Sequence, residues 1–280
     1  MRTILVVANE TLGGAGLLER IRELAREEGG NLRVVICVPR TRPRQGNIIY
    51  DEVVYDAAQV RIDLARLVLR DEGIDAIGEP GDPDPFTATM DAAAEHDPDA
   101  IIISTFPATS SGWLRRDLIE RVADASRVPV EHIVADIDNE GLPYKVTLVV
   151  ANRTASSAPL HQALMAKADA DGDGRRLFII VVPQEGGEGL HARRARARLG
   201  QVVDRLRSDG LIAAGMIGDP DPYTATMNGV QFFRVDDIVI STLPATRSGW
   251  LRADLIERVR KATNKPVEHV EATDAAEAAA

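Results

Sequence analysis

Two short runs hold the residues of this chain best suited to gripping a small ligand. Thr109, Ser111, Gly112 and Arg115 fall within Pro107-Ala-Thr-Ser-Ser-Gly-Trp-Leu-Arg115, and Thr246, Ser248, Gly249 and Arg252 within Pro244-Ala-Thr-Arg-Ser-Gly-Trp-Leu-Arg252. Short hydroxyl side chains donate to oxyanions, glycine lets a backbone approach closely, and arginine adds charge-assisted hydrogen bonds. Together they suit a phosphate- or sulfate-sized anion. A plainer role is open to the same residues, because Thr and Ser also cap helix starts, a role that contributes about 1 kcal/mol each. The stretch Ile101–Val122 recurs as Ile238–Val259, differing only at Ile102/Val239, Phe106/Leu243, Ser110/Arg247 and Arg116/Ala253.

Each run follows an apolar stretch rich in β-branched residues and precedes an amphipathic one, the pattern of strand, loop and helix. Leu114, Leu118 and Val122, at four-residue spacing, predict a helix beginning near Ser111. A start at Asp117 or Asp254 is the alternative, and there a carboxylate would occupy the anion's place. Upstream, Thr3–Ala8 and Arg33–Val38 are continuous apolar runs, as expected of strands buried on both faces of a parallel sheet. Leu17, Ile21 and Leu24 mark one helix, Val53–Leu69 a second, and Phe86–Glu95 a third. Pro85 suits that third helix's first position and Asp84 its cap. Ile74–Ile77 predicts a short strand and Pro129–Val134 a fifth. Strand and helix alternating with long crossovers imply a doubly wound parallel sheet.

The whole pattern then repeats. Val146–Asn152 matches Thr3–Asn9, and Gly218–Met227 matches Gly81–Met90 with only Phe86/Tyr223 changed. Gly78 pairs with Gly215 and His132 with His269, an offset of 137 throughout. A period this long is a duplicated domain rather than a solenoid. The expected domains are 1–137 and 144–272, joined by a polar linker at 138–143 and followed by a frayed tail at 273–280.

This strand–helix order, the Gly-Asp-Pro opening the third helix, and the fourth-strand loop running into Leu-Ile-Glu-Arg-Val and then Pro-Val resemble the universal stress protein family. The resemblance implies an α/β fold of two tandem doubly wound parallel five-stranded sheets, order 3-2-1-4-5, flanked by helices. Ligands of such sheets bind where the strand order reverses, between strands one and four. That adds Asn9 and Thr105, with Asn152 and Thr242, to the candidate ligand-binding residues. Family members that bind ATP carry an aspartate closing the first strand and Gly-x2-Gly-x9-Gly-Ser/Thr after the fourth. Here Asn9 and Asn152 replace the aspartate, and Ser104, Pro107, Ser241 and Pro244 stand at the first two glycine positions. ATP or AMP is therefore a candidate ligand held by an altered loop. In the family two domains commonly associate through their fifth strands, so one chain is expected to supply that pseudo-dimer internally, with higher oligomers left open.

Other features are weighed the same way. Trp113 and Trp250 suit packing or an interface, or stacking against a purine. The pairs Asp82/Asp84 and Asp219/Asp221 suit helix capping better than a cation. His132 and His269 are expected at an edge-strand surface. Gly13-Gly-Ala-Gly16 has only a faint phosphate-loop look, and its counterpart Ser156-Ser-Ala-Pro159 has no glycine. No nucleophile–base pair, metal-ligand cluster or paired-carboxylate arrangement shows at matching positions in both repeats, so neither catalytic residues nor a metal are expected.

A net charge of −10 and a pI near 5.1 argue against nucleic acid or an anionic membrane as partner. One cysteine, Cys37, excludes a disulfide framework. The first residues run straight into a strand pattern, and no apolar run nears the ~18 residues of a membrane span, so a cytoplasmic protein is expected. The functional expectation is a non-catalytic stress-response or regulatory binding protein. Its alternatives are a ligand-free protein-interaction scaffold and a nucleotide hydrolase or transferase.

Overall fold

The computed structural model describes residues 1–41, 51–107, 111–114, 117–172, 174–184, 190–244, 248–252 and 254–272, with backbone alone at 190–192 and 251–252. Thr109, Arg115 and Thr246, and the side chain of Arg252, lie outside the described residues. Two compact units divide at Pro143 and Tyr144.

The first unit runs β1 (Arg2–Val7), α1 (Ala15–Glu27), β2 (Leu32–Pro39), α2 (Asp51–Asp71), β3 (Asp75–Gly81), α3 (Pro85–His96), β4 (Ala100–Thr105), α4 (Leu118–Ala125), β5 (Val130–Val134) and a short α5 (Ile137–Glu140). Its strands form one parallel sheet in the order β3-β2-β1-β4-β5. In the second unit, β6 (Lys145–Val150), α6 (Ala158–Ala170), β7 (Arg176–Pro183), α7 (Leu190–Ser208), β8 (Ile212–Gly218), α8 (Pro222–Phe232), β9 (Asp237–Thr242), α9 (Gly249–Arg252), α10 (Leu255–Thr263) and β10 (Val267–Glu271) form a second sheet, β10-β9-β6-β7-β8. All its pairs are parallel as well. Both sheets thus have the predicted order, twice over.

The central strands explain that order. Ile4, Leu5, Val6, Val7, Val34, Ile36, Ile101 and Ile103 have no exposed surface, as strands covered by helices on both faces require. Leu17, Ile21 and Leu24 of α1 are buried, the stripe expected from their spacing. Gly78 and Gly215 let α2 and α7 lie close. A Cβ at Gly78 would stand 2.7 Å from Ile62, and one at Gly215 would stand 2.5 Å from Leu199. Cys37 is buried beneath α3, its Sγ 3.6 Å from the Ala88 carbonyl, and desolvation pushes its thiol up to about 12.

Three expectations need correction. β3 runs on to Gly81 through Gly-Glu-Pro-Gly, because pairing along β2 overrides weak local propensity and an edge strand tolerates Pro80. The polar linker expected at 138–143 begins inside a helical turn, Ile137–Glu140, anchored by buried Ile137. The last helix of each repeat starts at Leu118 and Leu255 rather than at Ser111 and Ser248. Asp117 and Asp254, each at φ 50°, adopt the left-handed conformation, which breaks the helical ladder. Neither carboxylate caps the helix it precedes.

Candidate functional site

The loops after β1 and β4 meet where the strand order reverses, and side chains tie them there. Thr11 Oγ1 donates to the Ser104 carbonyl at 2.9 Å, and Thr154 Oγ1 to the Ser241 carbonyl at 3.0 Å. Asn9 Nδ2 reaches the Pro39 carbonyl at 3.3 Å, and Asn152 Nδ2 the Pro183 carbonyl at 3.0 Å. These contacts join the ends of three neighbouring strands. The expected juxtaposition of Asn9–Gly16 with the Thr105 end of β4 is present in both units. The threonine latches were not anticipated, since nothing in the sequence separates Thr11 from a solvated loop residue.

Buried polar atoms without partners face this junction. Ser104 Oγ and Asn9 Oδ1 in the first unit, and Ser241 Oγ in the second, have no hydrogen-bond partner among the described residues. Ser241 is 1% exposed. In the second unit a cavity of about 280 Å³ opens here, and Ser241 lines it with Asn152, Arg153, Thr242, Ser248 and Gly249. An unmet buried hydroxyl costs about 1–3 kcal/mol, so a donor held beside an open cavity is suited to a ligand's acceptor.

Charge separates the two crevices. Arg153 stands at the end of β6, where Glu10 follows β1. Behind it, Arg198 of α7 donates through Nη1 to Asn152 Oδ1 at 2.6 Å. Its counterpart Arg61 is pulled by desolvation to about 10, with the charge of Glu10 acting against that shift. It stays protonated near neutral pH. The second crevice thus has Arg153 at its mouth, at the position where the first has Glu10.

A hydroxyl–imidazole pair occurs in both units, against expectation. His132 Nε2 lies 2.9 Å from Thr105 Oγ1, and His269 Nε2 lies 2.8 Å from Thr242 Oγ1. Both histidines are half-buried rather than at a free surface. Desolvation holds the His132 imidazole below its usual value. Each threonine hydroxyl also lies within bonding distance of the carbonyl that follows it. The signal available in the sequence was the repeated spacing from Thr105 to His132 and from Thr242 to His269.

The remaining candidates divide between structural and site roles. Ser111 and Ser248 are buried, and Ser111 Oγ accepts from the Leu114 amide at 3.3 Å, so it serves the turn. Gly112 belongs to the same turn; Gly249 opens α9, and a Cβ there would meet nothing within 4 Å. Trp113 packs on the core around Leu118 and Val122, whereas Trp250 lines the cavity. Asp84 and Asp221 cap α3 and α8, accepting from Thr87 and Thr224 amides at 3.0 and 2.9 Å. A Cβ at Gly14 would stand 3.0 Å from the Ala135 methyl and 3.2 Å from the Thr11 carbonyl, a tight fit that explains the glycine by packing. Away from the crevice, the first unit gathers Glu79, Glu95 and His96 at one corner. Their counterparts in the second unit are Met216, Phe232 and Phe233, so no repeated signal marks them in the sequence.

No protein-family model matches the chain, and no curated protein does. Among solved structures, a universal stress protein from Archaeoglobus fulgidus is 16% identical, covering 97% of each chain at a TM-score of 0.35. A putative universal stress protein from Pseudomonas aeruginosa is 17% identical, covering all of this chain and 95% of its own, at 0.33. A functionally unknown Pseudomonas aeruginosa protein gives the same figures. This chain is similar to universal stress proteins. Among the described residues no helix is long and apolar enough to cross a membrane.

Proposed function

We propose that the chain is a non-catalytic regulatory binding protein of the stress-response kind, taking a phosphate-type anion or small adenine nucleotide in its second crevice. The observation that carries this reading is the buried, unpartnered Ser241 hydroxyl lining a cavity beside Arg153, Thr242 and Ser248. A volume of about 280 Å³ lies at the lower edge of small-molecule sites, roughly 300–1,000 Å³, which favours inorganic phosphate or AMP over ATP. Calorimetry with phosphate, AMP, ATP and cyclic nucleotides tests it at millimolar ligand. Binding is expected to weaken about tenfold or more in Arg153→Glu, because a charge-assisted hydrogen bond is worth about 1.5–3 kcal/mol. No heat with any ligand rejects the proposal.

The Thr242–His269 pair supports a second reading, a phosphoryl-transfer or hydrolytic activity with the imidazole taking a proton from the hydroxyl. Phosphate release from ATP at a rate abolished by His269→Gln would establish it, and no turnover would discard it.

A further inference from the structure

Glu79 lies on edge strand β3, and Glu95 and His96 close α3. One ligand atom from each of the three lies within 4.8 Å of the other two. His96 Nε2 stands 3.3 Å from Glu79 Oε1. Ligands held at ~2.0–2.2 Å around a tetrahedral zinc ion stand roughly 3.3–3.5 Å from one another. One edge of such a site is therefore already at its proper length. An imidazole nitrogen with two carboxylate oxygens suits a first-row divalent ion, whereas calcium and magnesium prefer oxygen alone. The side chains of His96 and Glu79 are 20% and 38% exposed, so an ion and a completing water can reach them.

The duplication supplies an internal control. Met216, Phe232 and Phe233 occupy the three corresponding positions of the second unit, 3%, 3% and 7% exposed. The same corner of the fold is closed by an apolar trio in one unit and opened by three metal-ligand types in the other. A Glu79–His96 ion pair explains two of the three. It does not explain Glu95, whose carboxylate approaches that of Glu79 and is repelled unless a cation lies between them.

We propose that the first unit carries a divalent transition-metal site of the zinc type, formed by Glu79, Glu95 and His96. The test is calorimetric titration of the tag-free full chain with zinc chloride, beside a triple variant Glu79→Met, Glu95→Phe, His96→Phe. That variant carries the second unit's own residues at a corner of the same backbone. The expected result is one zinc ion per chain, with affinity lowered at least a hundredfold in the triple variant and little affected by excess magnesium. Absence of saturable binding, or equal binding by the triple variant, overturns the proposal. Should the triple variant fail to fold, Glu95→Gln and His96→Gln decide it: each is expected to weaken binding tenfold or more, and unchanged binding in both refutes the site.

Discussion

The two units share a sheet order and place charge at different corners. In the second, Arg176, Asp237 and Lys167 stand where the first has Leu32, Ala100 and Leu24, by the registers that pair Lys145 with Arg176 and Thr147 with Asp237. Arg176, 7% exposed, donates to Asp171 and Asp237 at 2.5 Å, and Lys167 approaches Asp237 at 3.3 Å and Glu268 at 3.1 Å. In the first unit Leu24 and Leu32 are nearly fully buried, and the corner keeps a partly exposed Arg2–Glu28 pair at 2.8 Å. At the β3–α3 corner the difference runs the other way, with Glu79, Glu95 and His96 standing where the second unit has Met216, Phe232 and Phe233. Strand interiors, almost identical in burial, hold the architecture; strand ends are free to become either core or ionic site.

The largest expected effect tests whether the buried ions of the second unit stabilise it or merely replace a core. Asp237→Ala strands part of the Arg176 guanidinium and is expected to cost about 3 kcal/mol, read as an earlier urea transition of that unit. Replacing the set by the first unit's residues, Lys167→Leu, Arg176→Leu and Asp237→Ala together, leaves Asp171 with Lys145 alone and is expected to cost less than the single change. A strongly destabilised triple variant would show that these ions do more than fill the corner.

Acid should separate the units next. Hydrogen bonds from Arg176, helped by Lys145, hold the Asp171 carboxyl down at about 2 against an ordinary 3.8. A depressed value means that its stabilising contribution is complete above pH 4 and is lost as pH falls towards 2. Thermal melts over that window should show the second unit weakening by more than it does in Asp171→Asn.

A smaller effect concerns the shared break before the last helix. Asp254→Gly relieves a left-handed conformation at φ 50° and is expected to stabilise by at most about 1 kcal/mol, with Asp117→Gly behaving alike. Destabilisation by either would mean that the aspartate makes a contact worth more than the strain.

How much of this was legible follows from what each feature depends on. Thr3–Ala8 and Ile101–Thr105 declare themselves because strands buried on both faces must be apolar throughout. Asp84 and Asp221 were readable as caps because capping is local. The helix start was not, since Leu114, Leu118 and Val122 keep a helical spacing across a residue that leaves the helix. The Thr105–His132 contact depends on the register of β4 against β5, which spacing alone does not convey. Glu79 with His96 depends on the extension of β3 through Gly and Pro, which local propensity opposes.

The buried thiol gives the molecule a private clock. Cys37 is sealed under α3 with its proton held to about pH 12, and the second unit has no cysteine. A thiol reagent can therefore attack only when the first unit opens, and the labelling rate counts those openings while the other half of the chain stays silent.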